Sequence, residues 1–149
     1  SNRFCLMQLG KETRKLEQKS TGQKLKGLFL MSKVTTYVFD IDGTICTKVD
    51  DGDYSNAQPF RDRINEINKL YDSGDKIIFQ TARGMGRSGN SYAYAHTAFY
   101  DFTREQLKSW GVKFHSLFLG KPAGDLYVDD KGMNDNVFFD IQEKIGESS

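Results

Sequence analysis

Asp40-Ile41-Asp42-Gly43-Thr44 sets two carboxylates two positions apart, ahead of a glycine turn and a hydroxyl. Three other stretches carry similar chemistry. Thr81 precedes Ala82, Arg83 and Gly84, Lys121 stands between Gly120 and Pro122, and Asp129 is followed by Asp130. Carboxylates gathered in one place repel and raise one another's pKa. They stay ionised around a cation, and an all-oxygen set suits Mg²⁺. Such a site suits phosphate esters. Mg²⁺ and Lys121 would neutralise the repulsion between a carboxylate and a phosphate dianion. Asp40 could then attack phosphorus to give an aspartyl-phosphate. Asp42 could protonate the leaving oxygen and afterwards activate water. Thr81 would offer its hydroxyl to a phosphoryl oxygen.

The elements that must bring these residues together alternate between strand and helix. Val34–Asp40 is β-branched and aromatic, and its run Tyr37-Val38-Phe39 suits a strand buried on both faces. Lys76–Gln80, Ser116–Leu119 and Asp125–Asp129 read as three further strands. Phe60, Ile64, Ile67 and Leu70 recur at helical spacing between Pro59 and Gly74. Phe99, Phe102, Leu107 and Trp110 trace a second helix, closed by Gly111. Val137, Phe138, Ile141 and Ile145 mark a last amphipathic segment. This order predicts an α/β fold, a three-layer α/β/α sandwich on a mostly parallel, Rossmann-like sheet. In such sheets ligands bind beyond the carboxyl ends of the strands, and every stretch named above follows a strand.

The 149 residues suit one domain, and 38% hydrophobic with 13% aromatic residues exclude wholesale disorder. No apolar run is long enough for a membrane span, and no secretory signal is recognisable. Two cysteines, Cys5 and Cys46, cannot build a disulfide framework, and His96 and His115 lack a metal-ligand spacing. A cytoplasmic protein is expected. Residues 1–33 carry eight basic and two acidic side chains, against thirteen and eighteen in residues 34–149. Met31 stands just before the first strand. Residues 1–31 are therefore read as a basic, solvated extension, and residues 32–149 as the domain.

The ordered set of DIDGT at 40–44, Thr81, Lys121 and the VDD of 128–130 resembles the four motifs of the haloacid dehalogenase superfamily of phosphatases. The resemblance implies that Asp40 is nucleophile and Mg²⁺ ligand, and that Asp42 is the acid/base, its backbone carbonyl on the metal. It further implies that Thr81 and Lys121 hold the phosphate, and that Asp129 ligates the metal directly with Asp130 as a second or water-mediated ligand. Gly43 and Thr44 of the turn would contact the substrate. Thirty-eight residues separate Asp42 from Thr81, and thirty-nine separate Thr81 from Lys121. Neither gap has room for a cap domain. Capless members take large substrates or close the site with a second copy of the chain, so a homo-oligomer is expected.

The stretch Thr81–Met85, with the capless layout and the lead-in at Tyr54 and Pro59, is similar to small phosphatases of capsule or surface-polysaccharide biosynthesis. That similarity implies a sugar phosphate as substrate. Arg83 is then open to two readings, a contact to a second anionic group on the substrate or a structural ion pair. Cys46–Asn56 would form a flap, and Asp50, Asp51 and Asp53 make it acidic, which disfavours nucleic acid. A polynucleotide phosphatase is the alternative within the superfamily, because the basic arm could hold nucleic acid. A receiver-like phosphoacceptor domain is the alternative outside it. Receivers place their acidic pair before the acceptor, however, whereas here it comes last.

Overall fold

A computed structural model describes residues 33–148 of the chain. The 1–31 extension lies outside the described residues, and the chain from Thr36 onward is a unit of its own. In chain order that unit contains β1 (Thr36–Phe39), α1 (Arg61–Asp72), β2 (Lys76–Thr81), α2 (Tyr92–Ser109), β3 (Ser116–Leu119) and α3 (Asp135–Glu147). Single 3₁₀ turns lie at Tyr54–Asn56 and Gly86–Ser88. The fold is α/β, with a parallel sheet ordered β1-β2-β3 and compatible with a Rossmann-like arrangement.

The register places Phe39 beside Phe79 and Phe79 beside Leu117. Side chains alternate across a strand, so Tyr37, Phe39, Ile77, Phe79, Thr81, Leu117 and Leu119 share one face. Both crossovers step to the next strand in the same direction. Right-handed connections therefore put α1 and α2 on the same face. Ile64, Ile67 and Leu70 of α1 and Ala95, Thr103 and Leu107 of α2 are buried. α3 joins them through Phe138, edge-on to Tyr37 and Phe39, and Phe139, stacked on Phe39 at 6.1 Å.

Local chemistry sets the helix ends. The Ser91 hydroxyl accepts the Tyr94 N–H at the start of α2, and the Asn134 side chain accepts the Asn136 N–H at the start of α3. α1 has no side-chain cap at Phe60. α2 closes through Trp110 onto Gly111, whose φ of +73° is open to glycine at little cost. Among the described residues, no helix is long and apolar enough to cross a membrane.

Three features differ from the sequence expectations. First, the sheet is not covered on both faces by the described residues. Val38 and Phe118 lie on the face away from the helices and are 59% and 54% exposed. An apolar triplet such as Tyr37-Val38-Phe39 does not reveal how many helical layers exist, and the described residues supply one.

Second, Asp125–Asp129 is not a strand. Leu126 and Val128 are 81% and 90% exposed, and Tyr127 folds back on its own loop. The Tyr127 hydroxyl donates to the Pro122 carbonyl at 2.7 Å and accepts the Gly124 N–H at 3.1 Å. These local bonds stand in place of a strand ladder.

Third, Phe102 and Val137 face outward, and Thr103, Phe139 and Gln142 join the expected Leu107, Trp110 and Phe138 in buried positions. The buried stripes are shifted in part because aromatic neighbours such as Phe138 and Phe139 fit more than one stripe.

Candidate active site

β1 delivers Asp40 and Asp42 to its carboxyl end, and the next turn is tightly built. The Thr44 and Ile45 N–H groups both donate to the carbonyl of buried Ile41, at 3.0 and 2.9 Å, and the Gly43 N–H donates to the Cys46 carbonyl at 2.8 Å. Arg63 on α1 braces the turn from below. Its guanidinium donates to the Thr44 carbonyl at 2.9 Å and to the Asp135 carboxylate at 2.6 Å, linking the turn to the first residue of α3. Gly43 and Thr44 stand where the motif puts them, half-buried, with these backbone groups engaged inside the turn.

Lys121 meets Asp40. The ammonium lies 3.6 Å from the Asp40 carboxylate, although 81 positions separate the two residues. The chain leaves β3 through Gly120, whose φ is +94°. The Lys121 N–H donates to the Thr81 carbonyl at 3.2 Å, which ties it to the end of β2. The Asn90 side chain accepts the Ala123 N–H at 2.9 Å, and the Tyr127 ring lies 4.2 Å below the ammonium. Burial pushes the Asp40 carboxyl above the usual carboxylate range, and the neighbouring Asp42 adds to this. The Lys121 charge and the Ile41 N–H pull it only part of the way back.

Gly120 allows a direct test of this placement. A Cβ there would run into the Tyr92 ring, on a backbone conformation that L residues rarely adopt. Gly120→Ala is expected to cost about 1–3 kcal/mol and to displace Lys121. Urea unfolding checks it. A variant as stable as wild type would contradict the arrangement.

Asp42 is held by Arg83. Nε and Nη2 of the guanidinium donate to the two carboxylate oxygens at 2.9 and 3.0 Å, in a bidentate pair. Nη1 donates to the Gln106 side-chain carbonyl at 2.7 Å and to the Thr103 hydroxyl at 3.3 Å. The Arg83 side chain is 0% exposed, so its placement is that of the structural ion pair rather than of a contact reaching out to substrate. Thr81 is fully buried, and its hydroxyl oxygen accepts the Arg83 N–H at 3.1 Å.

The Cys46–Asn56 segment, read above as a flap, follows the turn directly. Its base is pinned by the Thr47 N–H to the Gln58 carbonyl and by the Gln58 N–H to the Thr47 hydroxyl, both at 2.9 Å. Asp51 and Asp53 organise the tip by accepting the Asp53 and Ser55 N–H groups. The Ser55 hydroxyl and N–H hold the Asp53 carboxyl below the usual range. Arg87 reaches back to the Gly52 carbonyl at 2.6 Å.

Cys46 is buried, and desolvation pushes its thiol up to about 12. It remains a thiol at neutral pH and is no competing nucleophile. His115 is committed to the fold, accepting the Ile77 N–H on Nδ1 at 3.0 Å and stacking on Tyr71. His96 stacks on Tyr100 at an exposed position of α2.

Asp129 and Asp130 are not brought to Asp40 and Asp42. Both are exposed, and Asp129 accepts the Lys131 N–H at 2.7 Å in a local turn. Among the described residues, no three His, Cys, Asp or Glu side chains are grouped so as to hold a metal ion. As placed, the chain offers Asp40 and the Asp42 carbonyl at one end of the sheet and lacks the downstream carboxylate beside them. The donor set for Mg²⁺ is therefore incomplete in this arrangement, and no chemical step is derived through the ion.

Sequence reasoning missed Arg63, Gln106 and Thr103. Each acts through a partner at least nineteen positions away, Thr44 and Asp135 for Arg63 and Arg83 for the other two. No local pattern announces such a contact, because these residues otherwise read as ordinary helix positions.

No protein-family model matches this chain, and no curated protein does. One solved structure is similar, the crystal structure of a target protein from Vibrio cholerae. It is 22% identical, covers 78% of this chain and 100% of its own, and superposes with a TM-score of 0.65. At that identity the likeness concerns the fold, and it agrees with a parallel α/β arrangement.

Proposed function

We propose that this chain is a phosphomonoester hydrolase working through an aspartyl-phosphate on Asp40, with a small substrate of the sugar-phosphate kind and Mg²⁺ as cofactor. The proposal includes a capless core of the haloacid dehalogenase type and a cytoplasmic location, where phosphorylated sugars are retained by their charge. The observation that carries it is the 3.6 Å approach of Lys121 to Asp40, at the carboxyl end of a parallel sheet, beside Asp42.

Each residue contributes a step the chemistry needs. The Lys121 ammonium offsets the repulsion between Asp40 and an incoming phosphate dianion, and its charge opposes the upward push of burial on the Asp40 carboxyl. An Asp40 oxygen attacks phosphorus, and the bond from phosphorus to the ester oxygen breaks. The Asp42 carboxyl group gives its proton to that oxygen, which leaves as an alcohol. Water then attacks the aspartyl-phosphate, Asp42 takes up the water proton, and inorganic phosphate departs. Asp51 and Asp53 keep the flap tip acidic, which favours a compact monoester over a polyanion.

Mg²⁺, when bound, would neutralise phosphoryl charge. Its donors would be Asp40, the Asp42 carbonyl and one of Asp129 and Asp130. The eight-residue step from Lys121 to Asp129 spans up to about 27 Å when extended, so chain length does not forbid this set.

Phosphate release from a panel of sugar phosphates, nucleotides, a phosphopeptide and a 3′-phosphorylated oligonucleotide tests the reading. Turnover of a sugar phosphate is expected, lost with EDTA and restored by Mg²⁺. Release that persists without metal would remove the cofactor from the proposal. No release from any ester would remove the hydrolase, and preferred turnover of the oligonucleotide would replace the substrate class.

A further inference from the structure

The Asp42 carboxylate does not stand alone at the end of β1. Both its oxygens are taken by one guanidinium, and that guanidinium is fully buried. A buried charge is costly unless it is paired and its donors are satisfied. Arg83 meets the condition through Asp42, Gln106 and Thr103, with its plane 4.7 Å from the Tyr54 ring. The supports are themselves connected. The Gln106 amide donates to the Tyr54 carbonyl at 2.7 Å, and the Tyr54 hydroxyl accepts the Gly84 N–H at 3.0 Å. A continuous chain of contacts thus runs from the flap and α2, through Arg83, to the carboxyl group of Asp42.

Resting on the hydrolase reading, we propose that Arg83 is a positioning residue that sets where the Asp42 carboxyl group stands beside Asp40, with Gln106 fixing Arg83 in turn. The fork geometry matters. A guanidinium grips two oxygens in one plane and defines the orientation of the carboxyl group, whereas an ammonium offers a point charge and leaves it free to rotate. Two steps feel that orientation, proton transfer to the leaving oxygen and proton uptake from the attacking water. Attack by Asp40 on phosphorus does not. Loss of Arg83 therefore spares formation of the aspartyl-phosphate from an ester whose leaving group needs no proton, and slows the water step for every ester.

The test compares an alkyl phosphate, whose alkoxide leaves poorly, with 4-nitrophenyl phosphate, whose phenolate leaves without a proton. Wild type, Arg83→Lys, Arg83→Met and Gln106→Met are assayed on both, with melting temperatures recorded. General acid catalysis contributes about 10²–10⁴-fold, so Arg83→Met should lose roughly 10²-fold in kcat on the alkyl ester. On the aryl ester the first, single-turnover release of 4-nitrophenolate should stay within about threefold of the wild-type rate, because that step draws little on the acid, while the steady state that follows slows with the water step. Arg83→Lys should fail to rescue the alkyl ester. Gln106→Met, which leaves the Arg83–Asp42 pair in place, should show a smaller loss with the same selectivity. Equal losses on the two esters in the first release of the leaving group, or full activity in Arg83→Met, would overturn the positioning role. If Arg83→Met does not fold, Gln106→Met decides by the same criterion. Wild type inactive on both esters would overturn the hydrolase reading instead.

Discussion

Asp40→Asn is expected to lower phosphate release by roughly 10³-fold or more while the protein melts at or above the wild-type temperature. The activity loss follows from the role of Asp40. An amide oxygen is a poor nucleophile toward phosphorus, and no neighbour can replace it. Asp42 serves the cycle as acid and base and is paired with Arg83 rather than with Lys121, and Cys46 is a buried thiol with its pKa pushed to about 12. The stability half follows from burial. Folding raises the Asp40 pKa, so the folded state disfavours the ionised form that prevails at neutral pH. That penalty is present above the folded pKa and is relieved as pH falls through it. The neutral amide removes it at every pH, although Lys121 loses its ionic partner. Steady-state phosphate release and a thermal melt on one preparation check both halves. Retained turnover would refute the nucleophile. A large drop in melting temperature would show Asp40 to be structural.

Phe79→Ala is expected to cost about 3–5 kcal/mol, a large share of the roughly 5–15 kcal/mol that holds a domain together. Phe79 is fully buried on the central strand, paired with β1 on one side and β3 on the other. Its ring lies 6.0 Å from Phe39 and 5.9 Å from Phe114. Truncation leaves a void that neither hydrogen-bonded neighbour strand can close, since strand spacing is set by the backbone ladder. The consequence reaches the site, because β2 ends at Thr81 and leads directly into Arg83. Urea unfolding followed by circular dichroism gives the loss, and phosphate release should fall in step with the folded fraction. A cost under about 1 kcal/mol would show that this face of the sheet is not the core.

How much of this was legible in the residues themselves depends on the range of the interaction. The first three strands and all three helices were readable because alternation and helical spacing are local properties of backbone geometry. The end of α2 was readable because Gly111 can adopt the positive φ that closes a helix. Asp40, Asp42, Thr81 and Lys121 were readable as candidates because a strand end is where an α/β sheet presents side chains. The phase of α2 and α3 was less so. Phe102 and Val137 looked inward but are exposed, and Thr103, Phe139 and Gln142 are buried beside the expected Leu107 and Phe138.

The sequence by itself determined the α/β class, the strand-end placement of the reactive residue types, and the acidic character of the flap. These follow from periodicity, residue chemistry and charge, which require no knowledge of distant neighbours. Tertiary structure alone decided which candidates meet. It set Lys121 against Asp40, and it buried Arg83 in a bidentate pair with Asp42. It also turned Tyr127 back onto its own loop, leaving Asp129 and Asp130 away from the first two carboxylates. The physical reason is the same each time. A long-range contact forms only where burial, charge pairing and hydrogen bonding from separate elements are satisfied at once, and no single stretch of chain carries that information.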